Sequence, residues 1–249
     1  MRIIMPRGGL GNRLRFLESV LASSEQDKKI IIWSVDKSCN IDPIHYFDFT
    51  LNNATFYLVP KYLMPTFYFF LLSLMIFFPK KVSFNKRKYL PNVWFESSPH
   101  AYEGINGRFT KIQFSKNSRK IWNRLKLDHQ VLMNLYDVVY LRGTDNKSAI
   151  MQTDYRSIFA IIEQAGSRGT GVVGVTDDYI FQHILSSYDA YLLRDTIPQR
   201  GKVSAVEQTI EDLLVLAHAK TISSSAYSSF AELAIRLSEK TKLDIHSKI

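Results

Sequence analysis

DVVYLRGTD, residues 137 to 145, reads as a buried strand that ends in a cation, a small residue and an acid. Val138, Val139, Tyr140 and Leu141 form the short continuous apolar run expected of a strand covered on both faces. Downstream the pattern repeats. The spacing predicts a helix over 154–165, a strand over 171–176, a helix over 179–187 and a strand over 190–194. A helix over 203–218, a short strand over 221–223 and a helix over 228–238 follow. Strands and helices that alternate in this way imply right-handed crossovers and a parallel sheet with helices on both faces. Such sheets bind ligands beyond the carboxyl ends of their strands, where Arg142, Thr176 and the serines between 223 and 229 all fall. The fold class is α/β.

Upstream, RIIM (2–5), the turn PRGGLGNR and the apolar residues Leu14, Leu17, Val20 and Leu21 read as strand, glycine turn and amphipathic helix. The next strand is expected over 29–35. From 36 to 94 the chain is irregular and aromatic with isolated prolines, so no elements are placed there. After Ser115, KNSRKIWNRLKLDHQ reads as a helix joining two halves, which divides the chain into 1–120 and 121–249. There is no internal repeat and no low-complexity tract.

The 249 residues are 46% hydrophobic and 22% charged, the composition of a packed globular protein and not of a disordered or collagenous one. Lys and Arg number 32 against 23 Asp and Glu, a net charge of +9 that favours anionic partners: nucleic acid, acidic lipid or phosphorylated small molecules. The one cysteine, Cys39, excludes an intrachain disulfide and a thiolate zinc site, so nothing calls for an oxidising compartment. No apolar signal core fits before the glycine turn, and the expected location is the cytoplasm or a membrane surface. One segment stands apart: 62–79, YLMPTFYFFLLSLMIFFP, has no charge and is bounded by Lys61, Lys80 and Lys81. A span needs about 20 apolar residues, and Pro65 interrupts this one. A buried helix or a hydrophobic groove is the leading reading, with peripheral membrane contact through 62–79 as the alternative. The basic run KKVSFNKRK that follows is the usual signature of a solvated face, and it also motivates a module that binds nucleic acid or anionic lipid.

Four constellations could carry chemistry. Gly8, Gly9 and Gly11, between a strand and a helix, let backbone amides approach an anion, although a tight turn alone would also need them. The turn is not a P-loop, and Leu14 occupies the third glycine position of a dinucleotide fingerprint. Arg142 at a strand end can fork onto a phosphate, with Asp145 orienting it or merely pairing with it at the surface. The run from Ser223 to Ser229 offers hydroxyls and helix-start amides to phosphate oxygens, more than the single N-cap a helix needs. Asp212, beside Glu211, and the Thr176-Asp177-Asp178 step offer carboxylates that could accept the two N–H donors of a guanine edge, or could be solvated helix acids. No Asp-x-Asp spacing and no histidine cluster occurs in the chain, so no metal is expected.

In this order the four resemble the fucosyltransferase superfamily, the group of bacterial α-1,2-, eukaryotic α-1,6- and protein O-fucosyltransferases. GGLGNRL is similar to its GGLGNQL turn, VVYLRGTDN to its H-x-R-R-x-D strand end and VTDD to its S/T-D-D. DLLVLAHAKTISSSAYSSF is similar to its D-L-x-L-M-x-x-C-K…N-S-S-F segment, and NVWFESSPHAY more faintly to its aromatic stretch. Residues 40–89 are the main unmatched region. The resemblance implies a GT-B-like architecture, two Rossmann-like domains facing a cleft, and an inverting, metal-independent glycosyltransferase. The expected donor is a nucleotide sugar, GDP-fucose, with L-fucose passing to the hydroxyl of a glycan acceptor and no nucleic acid as partner. Arg142 stands at the essential arginine that bridges the donor diphosphate, Asp212 at the guanine-reading carboxylate, and Ser228 and Ser229 at hydroxyls that hold the β-phosphate. Thr176 joins the nucleotide site, and Gly9, Gly11 and Asn12 stand at the loop that approaches the donor sugar. Arg142, Asn12, Asp145 and Asp36 are the catalytic candidates, with Asp42 a further candidate base. Tyr140 replaces the usual histidine and Gly143 the second arginine, which leaves open a UDP- or GDP-linked pentose or another deoxysugar. A dissociative path in which leaving-group stabilisation by Arg142 does most of the work is also open.

Overall fold

The computed structural model describes residues 2–23, 28–36, 38–63, 65–66, 69, 80–81, 86–90, 93–96, 108–143, 147–167, 171–197, 204–226, 228–238 and 242–246. The chain separates into two compact units, Met1–Gln113 and Phe114–Ile249.

The first unit begins with β1 (Arg2–Ile4), the helix Leu10–Ala22 and β2 (Lys29–Ser34). A short helix Pro43–Tyr46, β3 (Phe47–Phe49), β4 (Ala54–Val59), β5 (Lys80–Lys81), β6 (Lys86–Leu90), β7 (Val93–Glu96) and β8 (Ile112–Phe114) follow. Six strands form one sheet in the order β4-β2-β1-β7-β6-β5, and β3 pairs with β8 separately. β4, β2, β1 and β7 run parallel, whereas β6 is antiparallel to both of its neighbours. Parallel strands need covering on both faces, and the register shows it: Ile4 pairs with Ile31, and both are fully buried. The expected apolar stripe of the first helix, Leu14, Leu17, Val20 and Leu21, is buried. Glu18 on the same helix is buried too, and accepts from the backbone N–H groups of Thr110 (2.7 Å) and Lys111 (3.1 Å). A carboxylate loses hydration on burial and must be repaid in hydrogen bonds, so Glu18 ties the 110–111 segment to the helix.

The second unit carries β9 (Tyr136–Leu141), β10 (Gly171–Thr176), β11 (Tyr191–Leu192), β12 (Thr221–Ser225) and β13 (Lys242–His246). All are parallel, in the order β11-β10-β9-β12-β13. Between them run the helices Lys147–Gln152, Tyr155–Ser167, Tyr179–Ser187, Ser204–His218 and Ser229–Leu237. The order reverses between β9 and β12, which makes their carboxyl ends the topological switch point. The apolar run of the opening stretch is the centre of this sheet, with Val138, Val139 and Leu141 wholly buried. Gly174 in β10 allows close packing: a Cβ there would lie 3.0 Å from Leu192 and 3.1 Å from Leu185. β12 continues two residues beyond the expected strand end, because Ser223, Ser224 and Ser225 are small enough to be buried in the sheet.

The helix expected to join the halves is Lys116–Asp128, capped by the Ser115 hydroxyl and packed on Ser204–His218 within the second unit. Trp122 stacks on His218 there, ring centroids 4.2 Å apart. Among the described residues no helix is long and apolar enough to cross a membrane. Most of 62–79 lies outside the described residues; of those described, Tyr62 is 77% and Phe69 73% exposed.

Candidate functional site

At the switch point β9 releases Arg142 and Gly143, and each backbone N–H is claimed by a neighbouring strand end. The Arg142 N–H donates to Ser225 Oγ of β12 (3.2 Å), and the Gly143 N–H to Asp177 Oδ1 just beyond β10 (2.8 Å). Three strand ends are thereby held in register around Arg142. Gly143 cannot be replaced cheaply: a Cβ would sit 2.4 Å from Asp178 Cβ and 2.9 Å from Phe181. Asp178 is itself fixed, since its carboxylate caps the helix Tyr179–Ser187 by accepting from the Ile180 and Phe181 amides. The space that a second arginine side chain would leave by is filled by this cap. Tyr140 is buried and packs on Phe230, 5.7 Å between ring centroids.

The serine run divides into three jobs. Ser223 to Ser225 are strand core, Ser228 is the N-cap of Ser229–Leu237, accepting from the Ala231 N–H at 3.1 Å, and Ser229 is half-buried in its first turn. The Ala226 N–H donates to buried Thr153 Oγ1 (3.0 Å), so the loop leaving β12 is pinned from beneath. Thr153 had no motif to announce it. Asp145 lies outside the described residues.

One strand over, a recess is lined by Gly174, Thr176, Gln182, Leu192, Arg194 and Asp212. Asp212 is buried, not a solvated helix acid, and Arg194 Nη2 donates to its Oδ1. Arg194 Nη2 also donates to the Gln208 carbonyl (3.2 Å), and Nη1 to Glu211 (3.4 Å). Glu211 and Glu207 in turn accept from Arg124 at 2.9 and 2.7 Å, the exposed end of a charge ladder along the helix. Burial pushes the Asp212 carboxyl up; the charge and hydrogen bond of Arg194 pull it back, Glu211 and Asp177 add to the rise, and it settles at about 6. Arg194 has no local sequence signal, since only the fold brings it over Asp212.

In the first unit the glycine turn is genuine. Gly8 has φ +86°, and a Cβ there would press on Asn12 at 3.0 Å, so glycine is needed both for conformation and for the approach. Gly9 is the helix N-cap without a side-chain acceptor, Gly11 is buried, and Asn12 is half-buried with its Oδ1 accepting from Arg15 (2.7 Å). Directly after Asn12, Arg13 is 1% exposed and donates to the Gly8 carbonyl (2.6 Å), the Ser34 carbonyl, Ser38 Oγ (3.1 Å) and Asp36 (2.6 Å). Its guanidinium also lies over Trp33, 5.4 Å from the ring centroid. Partial burial pushes the Asp36 carboxyl up, but hydrogen bonds from Ser38, Arg13 and Ser34 together with the Arg13 charge outweigh it and hold it at about 2. Asp42 is exposed and caps the short helix by accepting from the Ile44 N–H (3.1 Å). Arg13 stood inside the quoted motif, and its burial is the feature the sequence reading passed over. Among the described residues no three His, Cys, Asp or Glu side chains are grouped to hold a metal.

No protein-family profile and no curated protein matches the sequence. Solved structures match over nearly the whole chain. NodZ alpha-1,6-fucosyltransferase co-crystallised with GDP aligns with a TM-score of 0.58 at 14% identity, over 96% of this chain and 93% of that one. The fucosyltransferase NodZ from Bradyrhizobium gives 0.56 at 14%, over 96% and 94%. POFUT1 in its apo form gives 0.57 at 12%, over 98% and 97%. The fold is that of these structures.

Proposed function

We propose that this chain, which shares the fold of fucosyltransferases, is itself a glycosyltransferase that moves a sugar, L-fucose from GDP-fucose, onto a glycan hydroxyl. Fold alone does not carry function, so the reading rests on the site. The observation that carries it is the switch point, where Arg142 and the Ser228–Ser229 helix start sit on adjacent strand ends tied by the Arg142 N–H to Ser225 contact. An arginine at one strand end and helix-start amides following the next are the donor types that suit a diphosphate. Asp212 in the neighbouring recess then takes the guanine edge, with Thr176 beside it.

In the reaction, the bond from the sugar's anomeric carbon to the β-phosphate oxygen breaks, and the acceptor oxygen bonds to that carbon from the opposite face. The acceptor's proton leaves to a base or to solvent. Negative charge accumulates on the departing diphosphate, where Arg142 and the helix start stabilise it, and such fixed donors are worth about 10²–10³ in rate each. Asp36, with its carboxyl at about 2 and committed to Arg13, is a weak proton acceptor at neutral pH. This favours a path led by leaving-group stabilisation. Exposed Tyr62 and Phe69 at the start of the uncharged segment favour contact with a membrane surface at that edge.

A second donor reading has its own support. The crowding at Gly143 and the Tyr140–Phe230 contact change two residues that face the donor in the resembled family, which fits another nucleotide-linked deoxysugar or pentose. Calorimetric titration with GDP, GDP-fucose, UDP and UDP-sugars, followed by a transfer assay, tests both. GDP-selective binding that is lost in Arg142→Ala, with fucosyl transfer, is the expected result. UDP preference moves the reading to the second donor, and no nucleotide binding overturns it.

A further inference from the structure

The recess around Asp212 is lined from β10, the helix Tyr179–Ser187, β11 with the segment after it, and the helix Ser204–His218. Gln182 Nε2, from the helix Tyr179–Ser187, donates to the Arg194 carbonyl (2.9 Å) and so fixes the backbone from which the guanidinium reaches back. The guanidinium is then shared among the Gln208 carbonyl, Glu211 and Asp212 Oδ1 on the helix Ser204–His218. Asp212 thus has one oxygen held by Arg194 in a recess that also presents Thr176 and Gln182.

The geometry points to Arg194 as the positioning residue that keeps Asp212 an ionised, fixed acceptor for the N–H edge of a purine base, and so sets which base the recess prefers. The inference rests on the reading above that this recess takes the base of the donor. The chemistry is direct. An ionised carboxylate only accepts, and matches a guanine edge that presents two N–H donors side by side. A protonated carboxyl donates through one oxygen and accepts through the other, which matches the acceptor-plus-donor edge of adenine instead. Burial favours the protonated form; Arg194 opposes it. The other charges around the group are Glu211 on its own helix and Asp177 beyond β10, both of which favour protonation, and Arg124 from Lys116–Asp128, which pairs with Glu211. The helix Ser229–Leu237, also packed on Ser204–His218, carries Glu232 in its first turn and Arg236 in its last. Arg194 is the one cation in contact with Asp212 among the described residues.

The test measures GDP and ADP affinity between pH 5 and 8.5 for the wild type, Arg194→Gln, Arg194→Lys and Asp212→Asn, with the Asp212 carboxyl titrated by ¹³C NMR in each ligand-free protein that retains it. In the wild type, GDP binding weakens as pH falls through about 6, approaching tenfold per pH unit below it. In Arg194→Gln that weakening moves to higher pH, GDP affinity at pH 7 falls about tenfold, and the preference for GDP over ADP narrows by a similar factor. Arg194→Lys restores most of the wild-type profile. A wild-type GDP profile in Arg194→Gln, with an unmoved carboxyl titration, overturns the inference while leaving nucleotide binding intact. Absence of GDP binding in the wild type overturns the functional reading and this inference together. If Arg194→Gln does not fold, Arg194→Lys decides: its carboxyl titration must stay within one pH unit of the wild type.

Discussion

Each unit contains an aspartate paired with a buried or half-buried arginine, and the two pairs behave in opposite ways. Asp36 keeps 32% of its side chain exposed and receives Arg13, the Ser34 and Ser38 hydroxyls and the Ser38 and Cys39 amides. Asp212 is buried, with Arg194 as the donor to its carboxylate among the described residues. Hydrogen bonds win at the first, which sits at about 2, and desolvation wins at the second, which sits at about 6. A salt bridge by itself therefore says little about a carboxylate. The count of donors against the depth of burial decides whether the pair is a fixed clamp or a group that responds near neutral pH.

The sharpest way to break this comparison is to remove each arginine. Arg13→Met leaves Asp36 and the Gly8 and Ser34 carbonyls without their buried partner, and a stability loss of about 3–5 kcal/mol is expected in urea unfolding. Arg194→Gln can keep a hydrogen bond to Gln208 or Glu211 and relieves a carboxyl that already tends to protonate, so a loss near 1 kcal/mol or less is expected. Equal losses would mean that the donor count at the aspartate does not decide what each arginine contributes. The next contrast is functional. Asp212→Asn should weaken GDP binding by at least tenfold, since a charged acceptor is replaced by a group that must also present a donor. Asp36→Asn should leave the GDP dissociation constant within about threefold. A transfer rate for Asp36→Asn within tenfold of the wild type is expected on the leaving-group reading, whereas a thousandfold loss would place proton transfer at Asp36.

The two units also differ in how far their sequences disclosed them. In the second, continuous apolar strands and amphipathic helices of ordinary length mark themselves, and the helix over 179–187 and the strand over 171–176 were readable to the residue. β13, KLDIH, and the helix Lys147–Gln152 were not, because five alternating residues and six helical ones are too few for a period to stand out from chance. In the first unit β4 alternates its burial only in part, and β5 spans two residues, so no periodicity could build up. The site was legible where backbone chemistry writes itself into residue type: glycine at Gly8, serine at the Ser228 cap. It was illegible where long-range packing chooses the partner. Nothing near Arg194 in the chain points to a residue 18 positions later, and nothing near Thr153 points to Ala226.

The dependence of stability on pH discriminates best, because it predicts opposite signs. Asp36 has a folded-state carboxyl below its ordinary value of 3.8, so its contribution to stability is full above about pH 4 and is lost as pH falls towards 2. Asp212 lies above that value, so the folded chain holds a proton that the unfolded chain has already released between about pH 4 and 6. Over that window the ionisation of Asp212 costs stability progressively as pH rises, and the cost is complete above about 6. Asp36→Asn should therefore be less stable than the wild type at pH 6 and converge with it towards pH 2. Asp212→Asn should instead gain on the wild type as pH rises from 4 to 6, by about 1–3 kcal/mol. Thermal or urea unfolding of the three proteins at matched ionic strength across pH 2–7 reads both slopes. Parallel slopes for the two variants would show that the arginines, one in each unit, treat their aspartates alike, and the distinction between clamp and responsive group would fail.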